Sequence, residues 1–203
     1  MSEIKFEKTD LEGVWIRKII PNTDNRGSFV ELWKSKILDG VIDFKQVSLS
    51  KSTRNVIRGL HAQQDQWQLI TLIEGEAIDI QLDLTPGSPT FGQLQQINLS
   101  DEGFNQLLLY PGVFHGYKTL SALTQIIYQS NLFYRESPEF GVNISSIKDL
   151  KYLLSSDYVM SIRDSEFKSI SYFTSKEQKF ELVTLKMIEL VNSMRILLNN
   201  ADK

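Results

Sequence analysis

Apolar and polar positions alternate along most of the chain up to Tyr134, in short runs separated by Gly, Pro, Asn and Asp turns. Gly13 to Ile19 is the first such run and stops before Pro21. The turn Asn22-Thr23-Asp24-Asn25-Arg26-Gly27 leads into a second, Ser28 to Trp33, and a third covers Phe44 to Leu49. Gln68 to Ile73 turns at Glu74-Gly75-Glu76 and returns as Ala77 to Leu84, a pattern that predicts a β-hairpin. Pro86-Gly87-Ser88-Pro89 breaks the chain. Strands are then expected near 91–99, 106–110 and 113–119, with Pro111-Gly112 as a turn, and a long alternating run from Leu123 to Tyr134. Strands this short and this evenly spaced predict a mainly β fold, a jelly-roll barrel or sandwich.

The pattern changes after about residue 140. Ser145 to Ser156 reads as loop with short helical turns. From Ser175 the period becomes helical: Phe180, Val183, Met187, Leu190, Met194 and Leu197 fall on one face, with Ser175 and Gln178 as a capping box. This amphipathic helix either packs along its own barrel or pairs with a second subunit.

One stretch stands apart, Val56-Ile57-Arg58-Gly59-Leu60-His61-Ala62-Gln63. In an ideal strand Arg58 and His61 point to opposite faces. Gly59 between them permits a bulge that turns both toward one cavity. An arginine there suits a phosphate or carboxylate, and a histidine a proton in transit.

Composition narrows the classes. The 203 residues are 41% hydrophobic and 23% charged, as in an ordinary globular protein. A net charge of −3 gives no reason to expect nucleic acid, so an anionic ligand needs a local basic patch. The chain has no cysteine, which removes disulfides, thiolate catalysis and Cys-based metal sites and fits a reducing cytoplasm. Neither a signal peptide nor a membrane span is expected from the apolar runs.

His61 and His115 are the only histidines. A barrel metal site would set two His and a carboxylate a few residues apart on one strand. No second His lies near His61, so no metal or other cofactor is expected. The remaining polar groups each have a plain reading. His115 reads as a core histidine, Tyr128 as a core tyrosine, Arg26 as a solvated turn residue and Glu31 as the wet face of a strand. Asp79 and Asp83 read as solvated carboxylates. Gln46 and Ser48 share a face from which both can hydrogen-bond sugar or phosphate.

Taken together, several strings resemble the dTDP-4-dehydrorhamnose 3,5-epimerase family of nucleotide-sugar epimerases. They are Asp24-Asn25-Arg26-Gly27-Ser28-Phe29-Val30-Glu31, Gln46-Val47-Ser48-Leu49-Ser50, Val56 to His61, Ser88-Pro89-Thr90-Phe91-Gly92-Gln93 and Pro111 to Tyr117. The resemblance implies a cupin-like jelly roll over 1–142 and a loop and short-helix segment over 143–174 that completes the active site; the C-terminal α-helical extension over 175–203 rests on the helical period and is longer than in typical members. The resemblance also implies a cytoplasmic homodimer that acts, without metal, on a nucleoside-diphosphate 4-keto-6-deoxy sugar in surface-polysaccharide (lipopolysaccharide or capsule) synthesis. By the same resemblance His61 is the base, Asp164 its partner and Tyr128 the acid on the opposite face. Arg26, Phe29, Glu31, Gln46, Ser48, Arg58, Gln68, His115, Phe133 and Tyr134 fall on substrate-contacting positions. Gln68 departs from the family, which usually has lysine there, and Ser48 from a usual asparagine. A related keto-sugar isomerase and a non-catalytic binding module of the same fold are the alternatives.

Overall fold

A computed structural model describes residues 6–34, 42–103, 105–133 and 139–175. Two β-sheets face each other as a sandwich. The six-stranded sheet runs β1 (Glu7–Lys8), β2 (Val14–Lys18), β10 (Asn105–Leu109), β7 (Gln68–Glu74), β12 (Leu123–Ser130) and β5 (Gln46–Thr53). The five-stranded sheet runs β13 (Glu139–Gly141), β6 (Ile57–Gln63), β11 (Val113–Thr119), β8 (Glu76–Asp83) and β9 (Leu94–Ser100). A small hairpin, β3 (Asn22–Asp24) with β4 (Gly27–Phe29), stands apart. The expected mainly β sandwich is therefore present, as two open sheets rather than a closed ring. The C-terminal helix expected from Ser175 onward lies outside the described residues, apart from Ser175 itself, and so does Tyr134.

The hairpin predicted for 68–84 is not one. β7 pairs with β10 and β12, whereas β8 pairs with β11 and β9. Gly75 carries the chain from one sheet to the other. Pro111-Gly112 does the same between β10 and β11. Both turns look local in sequence, but strands that are buried on both faces gain more from two separate neighbours in a sandwich than from each other.

The five-stranded sheet is covered on both sides, which explains why every residue of β11 is buried. Its inner face meets the six-stranded sheet through Val113 and Tyr117, against Trp15, Trp67, Leu69 and Leu108. Its outer face, with Ile57, Leu60, Ile80, Leu82 and Phe114, is roofed by Val142, Ile144, Leu150, Leu153 and Phe173. Burying each such aliphatic side chain stabilises the fold by about 1.5–3 kcal/mol. The roof consists of short 3₁₀ turns at Ile144–Ser146 and Lys148–Leu153, then α1 (Ile162–Ser165) and α2 (Ile170–Thr174). Backbone hydrogen bonds are among the ties that hold it down. Ile57 N–H donates to the Val159 carbonyl at 2.8 Å, and Val142 N–H to the Leu60 carbonyl at 2.9 Å.

Asp79 and Asp83, expected as solvated carboxylates, are buried. They lie on the inner face of β8, inside the sandwich. Asp83 accepts from the Thr85 N–H at 2.8 Å and the Thr90 hydroxyl at 2.7 Å, and also from Ser88, so it fastens the Ser88–Gly92 turn.

Candidate active site

The bulge anticipated at Gly59 is present and decides the site. Opposite β6, His115 pairs with His61 and Tyr117 with Arg58, so three residues of β11 lie opposite four of β6. The outer face accordingly reads Ile57, Leu60, Ala62, which leaves Arg58, His61 and Gln63 inward. Gly59 has φ +103°, and a Cβ there would come within 2.7 Å of the Gly116 Cα. Two glycines facing each other across the strand pair are what let the bulge form.

A cavity of about 570 Å³ opens between the sheets, a size that suits a small organic ligand. Arg58, His61, Gln68, His115, Tyr128 and Asp164 all line it. These six of the predicted site residues are brought together. The other described ones do not line it. Arg26 is exposed and ion-paired to Asp24 at 2.6 Å, and Glu31 to Lys34 at 2.6 Å. Phe29 and Phe133 are exposed, and Gln46 donates to Ser48 at 3.1 Å near the start of the edge strand β5. The expected alternation through Trp33 fails after Phe29, where β4 ends, so Glu31 shares no strand face with Phe29.

His61 Nε2 lies 2.9 Å from Asp164 Oδ1. The Gly59 N–H donates to the other carboxylate oxygen at 3.1 Å, so the bulge also holds the carboxylate. Ser161 caps α1 by accepting from the Asp164 N–H at 3.0 Å, which fixes the turn that delivers the side chain. Phe167 meets the imidazole edge-on, with centroids 5.2 Å apart, above Gly141, where a Cβ would collide with the ring. Burial alone would raise the Asp164 pKa. The hydrogen bond and charge of His61, with the bonds to Gly59 and Ser161, outweigh it and hold the carboxyl below its ordinary value.

A second imidazole–carboxylate pair lies deeper. His115 Nδ1 is 3.2 Å from Asp79 Oδ1, and Gln81 also donates to that oxygen. Among the described residues Asp79 Oδ2 is buried without a partner. Tyr128 stands beside this pair, its ring centroid 6.3 Å from that of His115. Burial first, then the neighbouring Tyr117, pushes the Tyr128 phenol well above its usual pKa, so it stays protonated at neutral pH. Gln68 gives an N–H to the Gln66 side chain at 2.8 Å.

Tyr117, Ser50 and Ser52 were not singled out from the sequence as site residues. A signal was available: Tyr117 is two positions from His115 and therefore shares its face.

An oriented imidazole, a protonated phenol and a cation around one cavity define a site for moving a proton on and off carbon beside a polarised group. No redox group or activated nucleophile is needed for that class of chemistry. Comparison with known proteins gives it a family. The dTDP-4-dehydrorhamnose 3,5-epimerase model matches residues 8–171. The dTDP-4-dehydrorhamnose 3,5-epimerase of Shigella flexneri is 35% identical over 142 residues, 66% of this chain and 78% of that protein. Among solved structures, the enzyme of that name from Elizabethkingia anophelis superposes with a TM-score of 0.75 at 29% identity, covering 84% of this chain and 98% of that one. The dTDP-6-deoxy-D-glucose-3,5-epimerase of Legionella pneumophila, solved with dTDP-4-keto-L-rhamnose, gives 0.72 at 28%, covering 82% and 92%. The chain belongs to the dTDP-4-dehydrorhamnose 3,5-epimerase family, and it is an epimerase.

Proposed function

We propose that the chain inverts one or both carbons flanking the ketone of a nucleoside-diphosphate 4-keto-6-deoxy sugar, with His61 as base and Tyr128 as acid. One observation carries this reading: the two groups line a single cavity, and the imidazole is pinned by a carboxylate. His61 removes the proton beside the ketone, and Asp164 stabilises the positive charge the ring then carries. The electron pair moves to the carbonyl oxygen, forming an enolate. Tyr128 returns a proton from the opposite face, and the configuration inverts. The oxyanion needs a donor. Arg58, Gln68 and His115 all line the cavity; Gln68 is neutral, so the cationic share falls to Arg58.

The nucleotide sugars named for the relatives support a dTDP-linked substrate and a role in deoxysugar synthesis, which we place in a surface-polysaccharide pathway. The cysteine-free composition fits a cytoplasmic place. Val47 and Leu49 on the outer face of β5, and Phe29 on β4, are exposed apolar side chains. This exposed apolar patch supports a homodimer in which a second copy would cover it, which light scattering would read directly as doubled mass.

The test is uptake of solvent deuterium. Incubated in D₂O with dTDP-4-keto-6-deoxyglucose, the protein should place deuterium on a carbon next to the ketone. Absence of label from this and from the GDP, UDP and CDP analogues would refute the reading.

A further inference from the structure

The proposed mechanism asks Arg58 to meet an oxyanion, yet this side chain is exposed where it lines the cavity, and a long arginine left free there would sample many rotamers. Something must aim it. We propose that Ser52 is the positioning residue that aims the Arg58 guanidinium, so that its outer edge meets an oxyanion of the substrate. This inference deepens the nucleotide-sugar reading and rests on it.

Arg58 belongs to β6 of one sheet and Ser52 to β5 of the other. Arg58 donates its Nε–H to Ser52 Oγ at 3.2 Å, so the contact crosses the sandwich. Ser52 is only 4% exposed, whereas Arg58 is exposed. The anchor is therefore fixed and the cation it holds is within reach of a ligand. With the Nε–H engaged, the Nη1–Nη2 edge is left, and among the described residues neither nitrogen has a hydrogen-bond or ion-pair partner. That edge presents parallel N–H groups in one plane, which suits the oxygens of a phosphate or a single oxyanion between them. The bulge at Gly59 turns Arg58 inward, and Ser52 sets where its end points.

The anchor is itself held by a directional chain. Ser52 Oγ lies 3.2 Å from the Tyr117 hydroxyl, and that hydroxyl 3.0 Å from Ser50 Oγ. Ser50 Oγ donates to the Ile126 carbonyl at 3.4 Å. The ends fix the direction, because a guanidinium can only donate and a carbonyl can only accept. Ser50 gives its proton to Ile126 and accepts from Tyr117. Tyr117 accepts from Ser52, and Ser52 accepts from Arg58. Each hydroxyl donates once and accepts once. Bonds running one way from a cation strengthen one another. Tyr117 stands opposite Arg58 in the β6–β11 register and is buried, so the chain lies directly beside the arginine it steadies.

A nucleoside-diphosphate keto sugar offers a suitable oxyanion at its diphosphate and, in the transition state, at the enolate oxygen. Ser52→Ala deletes the anchor, and a pair of readouts separates these sources. One is the dissociation constant of dTDP, which carries a diphosphate and no ketone. The other is kcat with dTDP-4-keto-6-deoxyglucose. One of them should worsen by roughly tenfold, the scale of a charge-assisted hydrogen bond made less well. A loss of dTDP affinity puts Arg58 on the diphosphate; a loss of kcat at unchanged dTDP affinity puts it on the enolate. Ser52→Thr, which keeps a hydroxyl at that position, should recover most of the loss. In an Arg58→Met background Ser52→Ala should change neither quantity further, since the group it aims is gone. Tyr117→Phe, which removes the acceptor of the Ser52 proton, should move the same quantity in the same direction by less. It tests the chain independently if Ser52→Ala melts early. Wild-type dTDP affinity and kcat in every variant of Ser52 and Tyr117 that folds would overturn the proposal. So would a loss of the same size in the Arg58→Met background, which marks a packing role. A wild-type chain that neither binds dTDP nor exchanges a substrate proton refutes the nucleotide-sugar reading itself, a different failure.

Discussion

Two imidazole–carboxylate pairs face one cavity, and they are built differently. In the first, His61 keeps 29% of its side-chain surface exposed, and both oxygens of Asp164 have partners: the imidazole on one and the Gly59 N–H on the other. In the second, His115 and Asp79 are both buried, and one oxygen of Asp79 has no partner among the described residues. The first pair can exchange a proton with a ligand or with water, and its carboxylate is saturated so that the ring stays oriented. The second is buried and forms part of the cavity wall beside Tyr128. Position in the sandwich, rather than residue type, assigns a proton carrier in one case and a buried wall in the other.

The contrast can be broken most severely at His61. His61→Asn should lower turnover by roughly 10²–10⁴-fold, measured as epimerised product, because the base is removed while the shape is kept. Asp164→Asn comes next. It trades a charged hydrogen bond for a neutral one, worth about 1.5–3 kcal/mol, or roughly tenfold to a hundredfold in rate. The same variant sharpens the comparison through pH. The folded-state pKa of Asp164 lies below its unfolded value, so its contribution to stability is complete above the ordinary carboxylate range. It is lost as pH falls through the folded value. The gap in melting temperature between wild type and Asp164→Asn should thus hold steady from neutral to mildly acidic pH and close on further acidification. Gln68→Lys should have the smallest effect, a several-fold gain in turnover, since a charged donor to the enolate is about twice as strong as a neutral one. A loss would show that His115 and Arg58 already fill that role and that the added charge misplaces the ligand.

Much of this was legible in the chain. The alternation located the strands, and the Arg58-Gly59-Leu60-His61 string carried its own bulge, because only a glycine there could turn both side chains inward. The sheet partners of β7 and β8 were not legible. A turn such as Glu74-Gly75-Glu76 looks the same whether it closes a hairpin or crosses a sandwich, and only burial on both faces decides. Asp79 was misjudged for a related reason, since inward and outward faces of a strand read alike until the second sheet is present. Asp164 could be placed through resemblance alone. It sits 103 residues from His61, and nothing local says that the roof over the outer sheet delivers it. Tyr117 was within reach, by its spacing from His115.

The division of labour between His61 and Tyr128 is tested most directly by deuterium uptake in two variants, with the configuration of recovered sugar read by NMR. Tyr128→Phe should wash deuterium into the position beside the ketone with the configuration retained, because His61 still removes a proton and returns a deuteron to the same face. His61→Asn should take up none there. Inversion at the wild-type rate in Tyr128→Phe, or equal uptake in both variants, would contradict opposite-face catalysis by these two residues.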